Sequence, residues 1–168
     1  ISQLPSSNLI IYDIGKDQIL RKKYWKLEEI NFNLPESEDE LSEIYKEILR
    51  ESVRKRVSNK KKKIFSISGG LDSSSILCLA SDILQKKVNS YSVTYKDDEY
   101  DETREIQDII STRSNKWINV QLENEIDLNK NLYKIIEIND EPIATATWYT
   151  HFLATKKIKK ENYEIIYG

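Results

Sequence analysis

The stretch KKIFSISGGLDSSSILCLASDIL, residues 62–84, decides the fold. Its first half alternates, with Phe65 and Ile67 on one parity and Ile64, Ser66 and Ser68 on the other, which is the period of a short strand. Its second half, from Ser73 to Gln85, has the spacing of an amphipathic helix. Between them stand Gly69-Gly70, Asp72 and the run Ser73-Ser74-Ser75. A strand that turns directly into a helix is the opening unit of an α/β sheet.

The same alternation continues downstream. IFSIS is followed by the helix over 73–85, then NSYSVTY, a helix over 101–111, WINVQL, helical stretches over 128–138 and 143–157, and finally YEIIY. Strands separated by helices require crossover connections, so the expectation is an α/β fold with a doubly wound parallel sheet. Upstream the texture differs. Residues 1–25 carry two short strand patterns, NLIIYDI and QILRKKYW, around Gly15-Lys16-Asp17, predicting an antiparallel hairpin. Pro35 and the acids Glu36 to Glu40 lead into apolar residues at helical spacing, Leu41 to Val53, with the helix ending about Ser58. The expected organisation is therefore a β segment over 1–25, a linker over 26–35 and the main domain over 36–168.

Bulk properties narrow the partners. The chain has 168 residues with 26 Lys+Arg against 28 Asp+Glu, so it lacks the basic excess that phosphate-backbone binding requires, and nucleic acid is not expected. The run Lys60 to Lys63 reads as a solvated helix end before a buried strand. No apolar run approaches the roughly 18 residues of a membrane helix, so no membrane association is expected. The single Cys78 sits among apolar neighbours and cannot pair within the chain, which fits a reducing, cytoplasmic setting. There is no methionine, and the chain stops at Gly168 directly after an apolar run; both lead to the expectation of an excerpt from a longer protein.

The turn after the first strand carries the chemistry. Ligands of open α/β sheets bind beyond the carboxyl ends of the strands. There Gly69 and Gly70 allow a sharp turn and close backbone approach, and the helix starting near Asp72 or Ser73 offers N–H donors and a positive dipole end to a phosphate. Ser68, Ser73 and Ser74 add hydroxyls. Asp72 would repel a bare phosphate, but makes sense as the holder of a magnesium ion that phosphate oxygens share. The spacing is not GxxxxGK[ST], so this is not the common phosphate loop. The plainer reading is a tight turn with Asp72 or Ser73 as an N-cap.

SGGLDSS over 68–74 resembles the pyrophosphate loop (PP-loop) of AMP-forming synthetases, and further segments resemble the asparagine synthetase family in particular. KYWKL at 23–27 resembles the Tyr-Trp that closes that family's glutaminase domain, and ISQLPSSNLIIYDI that domain's last strands. DETREIQDII from Asp101, NDEPIATATWYTHFLATKKIK with Asp140-Glu141-Pro142, and ENYEIIYG follow in the family's order. Read without the resemblance, Asp101-Glu102 are helix-start acids and Asp140-Glu141-Pro142 a helix end and restart, with Pro142 in a first turn.

The resemblance implies an ATP-binding synthetase module. ATP and Mg2+ would activate a carboxylate, such as that of aspartate, as an acyl-adenylate, and ammonia from glutamine would form the amide. It implies a nucleotide site made of Ile67, Ser68, Gly69, Gly70, Leu71, Asp72, Ser73, Ser74, Val93, Tyr167 and Gly168. Asp72 would be the metal ligand, Ile67 and Val93 the adenine contacts, and Tyr167 and Gly168 the far side of the crevice. It leaves open a homodimer of the full-length protein. A lactam- or peptide-cyclising synthetase and a non-catalytic nucleotide-binding module remain alternatives. The cysteine nucleophile and a second acidic loop would lie outside these residues, so the excerpt alone is expected to be inactive. Tyr167 stands where the family usually has serine, and Trp117 where relatives often have histidine. Ala144-Thr145 stand where some asparagine synthetases carry an arginine, which leaves the acid unidentified. His151, the only histidine, is assigned to the core or surface rather than to the site.

Overall fold

The computed structural model describes residues 2–30, 33–94, 103–121, 128–143, 145 and 147–168. These fall into two compact units, residues 1–45 and 46–168. In the first unit, β1 (Asn8–Asp13) pairs antiparallel with β2 (Gln18–Lys23), with Asn8 opposite Lys23 and Asp13 opposite Gln18. The turn takes its left-handed residue at Asp17 (φ 51°) and not at Gly15, and the Asp13 carboxylate accepts the Lys16 N–H at 3.1 Å. Ile10, Ile11, Tyr12, Ile19 and Leu20 are all exposed on this hairpin.

Helix α1 (Glu38–Val57) carries acids in its first turn and Arg54, Lys55 and Arg56 in its last, each sign at the end of the helix dipole that favours it. Its C-terminal part, in the second unit, buries Val53 and Val57. The rest of that unit runs β3 (Lys63–Ser66), α2 (Leu71–Leu84), β4 (Val88–Thr94), α3 (Thr103–Arg113), β5 (Ser114–Gln121), α4 (Leu128–Asn139), α5 (Thr147–Lys159) and β6 (Ile165–Tyr167). The four strands form one parallel sheet in the order β5-β4-β3-β6. The doubly wound α/β fold expected from the sequence is therefore present.

Strand parity sorts the core into two faces. Phe65, Ile67 and Val88 pack under Val53 and Val57 of α1, Leu77 and Ala80 of α2 and Ile106 of α3. Ile64, Tyr91, Ile118 and Val120 pack on the opposite face with Ala154 and Ile158 of α5. Each fully buried Val, Leu, Ile or Phe among them contributes roughly 1.5–3 kcal/mol. Helix α5 begins at Thr147 and not at Ile143. Pro142 thus lies in the turn before α5 rather than in its first turn. Helix α4 ends with Asp140 in the left-handed region (φ 56°), which aspartate tolerates better than most residues. Among the described residues no helix is long and apolar enough to cross a membrane.

Candidate functional site

The strand order places a topological switch beside β3. From β3 the chain winds outward through α2 to β4 and β5, then returns over the other face through α5 to lay β6 on β3's opposite edge, with Ile64 paired to Ile166. Crossovers on opposite faces leave a crevice past the carboxyl ends of β3 and β6, the usual ligand position in such sheets. The loop over 68–70 and the start of α2 occupy it.

The loop is held at its root and open at its tip. Ile67 is 2% exposed, its N–H donates to the Tyr91 carbonyl at 2.9 Å, and its own carbonyl accepts from the Ser92 hydroxyl at 2.8 Å. Residues 68–72 are exposed, and Ser73 and Ser74 are half-buried. The Ser68 N–H donates to Ser73 Oγ at 3.0 Å, the two hydroxyls lie 2.9 Å apart, and Ser74 Oγ donates to the Gly70 carbonyl at 2.8 Å. Three hydroxyls thus close on the loop's own backbone. Hydroxyl rotors turn at little cost, so these groups can be redirected to an anion's oxygens without moving the chain.

Helix α2 starts two residues earlier than the sequence pattern indicates. Gly70 is its N-cap and has no capping side chain, which places Leu71, Asp72 and Ser73 in the first turn. Asp72 and Ser73 are therefore not the cap, and the plainer reading of the turn loses its capping residue. Leu71 is 81% exposed. The glycines' freedom in φ is not used: no glycine has positive φ, and Gly70 sits at φ −75°, open to any residue. What Gly70 supplies is space. A Cβ there would lie 3.3 Å from Ser68 Oγ, tighter than an ordinary contact.

The donor set fits a magnesium ion that arrives with phosphate. Among the described residues no three His, Cys, Asp or Glu side chains converge, so there is no preformed cage. Magnesium commonly keeps its waters and takes one or two carboxylates plus phosphate oxygens. The exposed Asp72 carboxylate beside an anion-seeking helix end meets that requirement.

Other residues fall where the sequence did not foresee. Ile67 and Val93 pack against opposite faces of the sheet, so one adenine cannot rest on both side chains. The Tyr167 ring turns away from the loop, stacking on Phe65 at 5.2 Å and donating its hydroxyl to the Arg56 carbonyl at 2.6 Å. Gly168 lies against β3, where a Cβ would meet that of Ser66 at 2.5 Å. Asp140, Glu141 and Pro142 are exposed in the turn after α4, and His151 is exposed on α5. Asp101-Glu102 and Ala144 lie outside the described residues.

One set of residues was missed. Ser90, Ser92 and Thr94 are buried on a single face of β4, where Ser90 meets Ser114 at 2.7 Å, Ser92 takes the Trp117 indole N–H at 3.1 Å, and Thr94 donates to Asn119 at 2.7 Å. The signal was the i, i+2 recurrence of hydroxyls inside a central strand.

No curated protein matches the chain. The asparagine synthase family model matches residues 45–166, most of the chain and nearly all of the unit that holds the parallel sheet and the loop. With the matched segment running from α1 into β6 and enclosing the whole crevice, the chain belongs to the asparagine synthase family, a family of ATP-utilising, ligase-type synthetases.

Proposed function

We propose that residues 36–168 bind MgATP and activate a carboxylate as its acyl-adenylate, for amide formation with ammonia derived from glutamine. In this reading residues 1–25 are closing strands of a glutaminase domain and 26–35 the linker. The pyrophosphate portion of ATP rests on the loop from Ser68 to Ser74, against the N–H groups of the first turn of α2. Asp72 would hold the magnesium ion that accompanies ATP, which would supply positive charge to the phosphates. The protein's task is electrostatic and positional: it offers donors where charge gathers on the departing pyrophosphate and holds that group in line with the attacked phosphorus.

The observation that carries this reading is the placement of an uncapped, glycine-opened helix start with three hydroxyls at the sheet's switch point. The test is Asp72→Asn. Because Asp72 is a first-turn residue and not the cap, losing its charge at the helix end should change stability by at most about 1 kcal/mol. Magnesium-dependent ATP–pyrophosphate exchange by the full-length protein should fall by about 10²–10³, the usual cost of losing a preorganised charge partner. An unchanged exchange rate would remove Asp72 from the site. ATP binding without exchange in the presence of any acid would favour a non-catalytic module, and a panel of acids, aspartate included, would identify the substrate.

A further inference from the structure

A buried hydrogen-bond chain crosses three strands and ends at the root of the loop. Trp117 Nε1 on β5 lies 3.1 Å from Ser92 Oγ on β4, and that hydroxyl lies 2.8 Å from the Ile67 carbonyl oxygen just past β3. The direction of the chain is fixed by chemistry. An indole nitrogen can only donate, so Ser92 must accept from it, and its own hydrogen is left for the carbonyl. Ser92 is 1% exposed, so no water competes for either bond.

The Ile67 carbonyl belongs to the same peptide group as the Ser68 N–H, the first donor of the loop. A hydrogen bond accepted by the carbonyl fixes the plane of that peptide and draws electron density from its nitrogen, which strengthens the N–H as a donor. The N–H of Ser68 now points at Ser73 Oγ, 3.0 Å away. We propose that Trp117 and Ser92 are positioning residues: their relay presets and polarises the Ile67–Ser68 peptide, so that the Ser68 N–H is aimed and strengthened for an anion in the crevice.

A control exists on the same strand. Ser90 is 0% exposed and also bonds a neighbouring hydroxyl, that of Ser114 at 2.7 Å, but it has no link to the loop. Ser90→Ala and Ser92→Ala should therefore lose similar stability and differ only at the crevice. Two measurements separate them. Amide hydrogen exchange over residues 67–74, with no ligand present, should accelerate about three- to tenfold in Ser92→Ala and stay at the unmodified rate in Ser90→Ala. Affinity for MgATP and for inorganic pyrophosphate should fall by a similar factor in Ser92→Ala only, and Ser92→Thr, which keeps the hydroxyl, should restore it. Trp117→Phe keeps the Ser92–Ile67 bond but removes its upstream donor; it should show the same changes at about twofold, and serves if Ser92→Ala does not fold.

The affinity arm rests on the proposed nucleotide site, whereas the exchange arm does not. Failure of the unmodified protein to bind either ligand would overturn the nucleotide reading and leave exchange to decide the relay. Loop exchange at the unmodified rate in both Ser92→Ala and Trp117→Phe, or equal acceleration in Ser90→Ala, would overturn the relay.

Discussion

At Gly70 the sequence names the residue but not the property used. Glycine can be chosen for its freedom in φ or for its lack of a side chain, and only the second applies here, since its φ of −75° suits any residue. The consequence is testable. Gly70→Ala should still fold, with a loss of about 1 kcal/mol, because alanine is a poorer N-cap than glycine. The new methyl, 3.3 Å from Ser68 Oγ, would crowd the hydroxyl that an anion is proposed to engage, so pyrophosphate affinity should drop by tenfold or more while thermal unfolding shifts by a few degrees. Unchanged affinity would mean that the anion does not approach Gly70 and Ser68. Ser92 illustrates the opposite difficulty. A serine in a strand reads as a weak point of an apolar pattern, and only the pairing of β3, β4 and β5 reveals that its hydroxyl joins an indole to a backbone carbonyl.

At the scale of elements the sequence was more legible, because period and turn chemistry are local properties. The hairpin, α1, α2 and the four parallel strands all lie within a few residues of the expected ranges. What local patterning omits is phase between neighbours. Parity along β3 and along β4 is readable separately, but which parity of one strand shares a face with which of the other is set by pairing, which puts the Ile67 and Val93 side chains on opposite faces. The turn after α5 is tied to β5 by an ion pair, Lys116 Nζ to Glu161 Oε2 at 2.6 Å. The hydrogen bond from Lys116 is the main cause that holds the Glu161 carboxyl below its ordinary 4.5, with Lys62 adding a smaller pull. A carboxylate with a lowered folded value adds stability that is present above the unfolded value and is lost as pH falls through the folded one. Denaturation midpoints followed downward from pH 4.5 should therefore fall more steeply in the unmodified chain than in Glu161→Gln. Equal slopes would show that the pair contributes nothing across this pH range.

The second unit, residues 46–168, gathers basic side chains at one edge of its sheet. At the carboxyl edge of the sheet α2 presents its N-terminus to the crevice. At the amino edge a hollow of about 960 Å³ is lined by Lys60 to Lys63, Lys86 and Lys87. These lysines answer helix ends: Lys63 Nζ donates to the Val57 carbonyl at 2.9 Å, and Lys87 Nζ donates to that of Ser111 at 2.8 Å. Burial, with Lys86 nearby, pushes the Lys63 ammonium below its usual range. Of the run Lys60 to Lys63, Lys63 is thus tied to the C-terminus of α1. Between the two edges the fold depends on Phe65, which is 0% exposed and stacked on Tyr167. Phe65→Ala should cost about 3–5 kcal/mol by urea denaturation and loosen β6 along with the core. A loss below about 1 kcal/mol would show that the β3–β6 contact is not a part of the stable core.

The strand order also sets a timetable. Phe65 meets Ser90 on β4 across 25 residues of chain, whereas Lys63 meets Ile165 on β6 across 102. Loop-closure entropy grows with the logarithm of that separation, so the longer closure costs about 1.2 kcal/mol more, and contacts of this span slow folding. During synthesis β3, β4 and β5 can associate while β6 is still unmade. The relay from Trp117 to Ile67 would then form before the crevice has its second wall, so that the growing chain would aim its first anion donor before it could enclose a ligand.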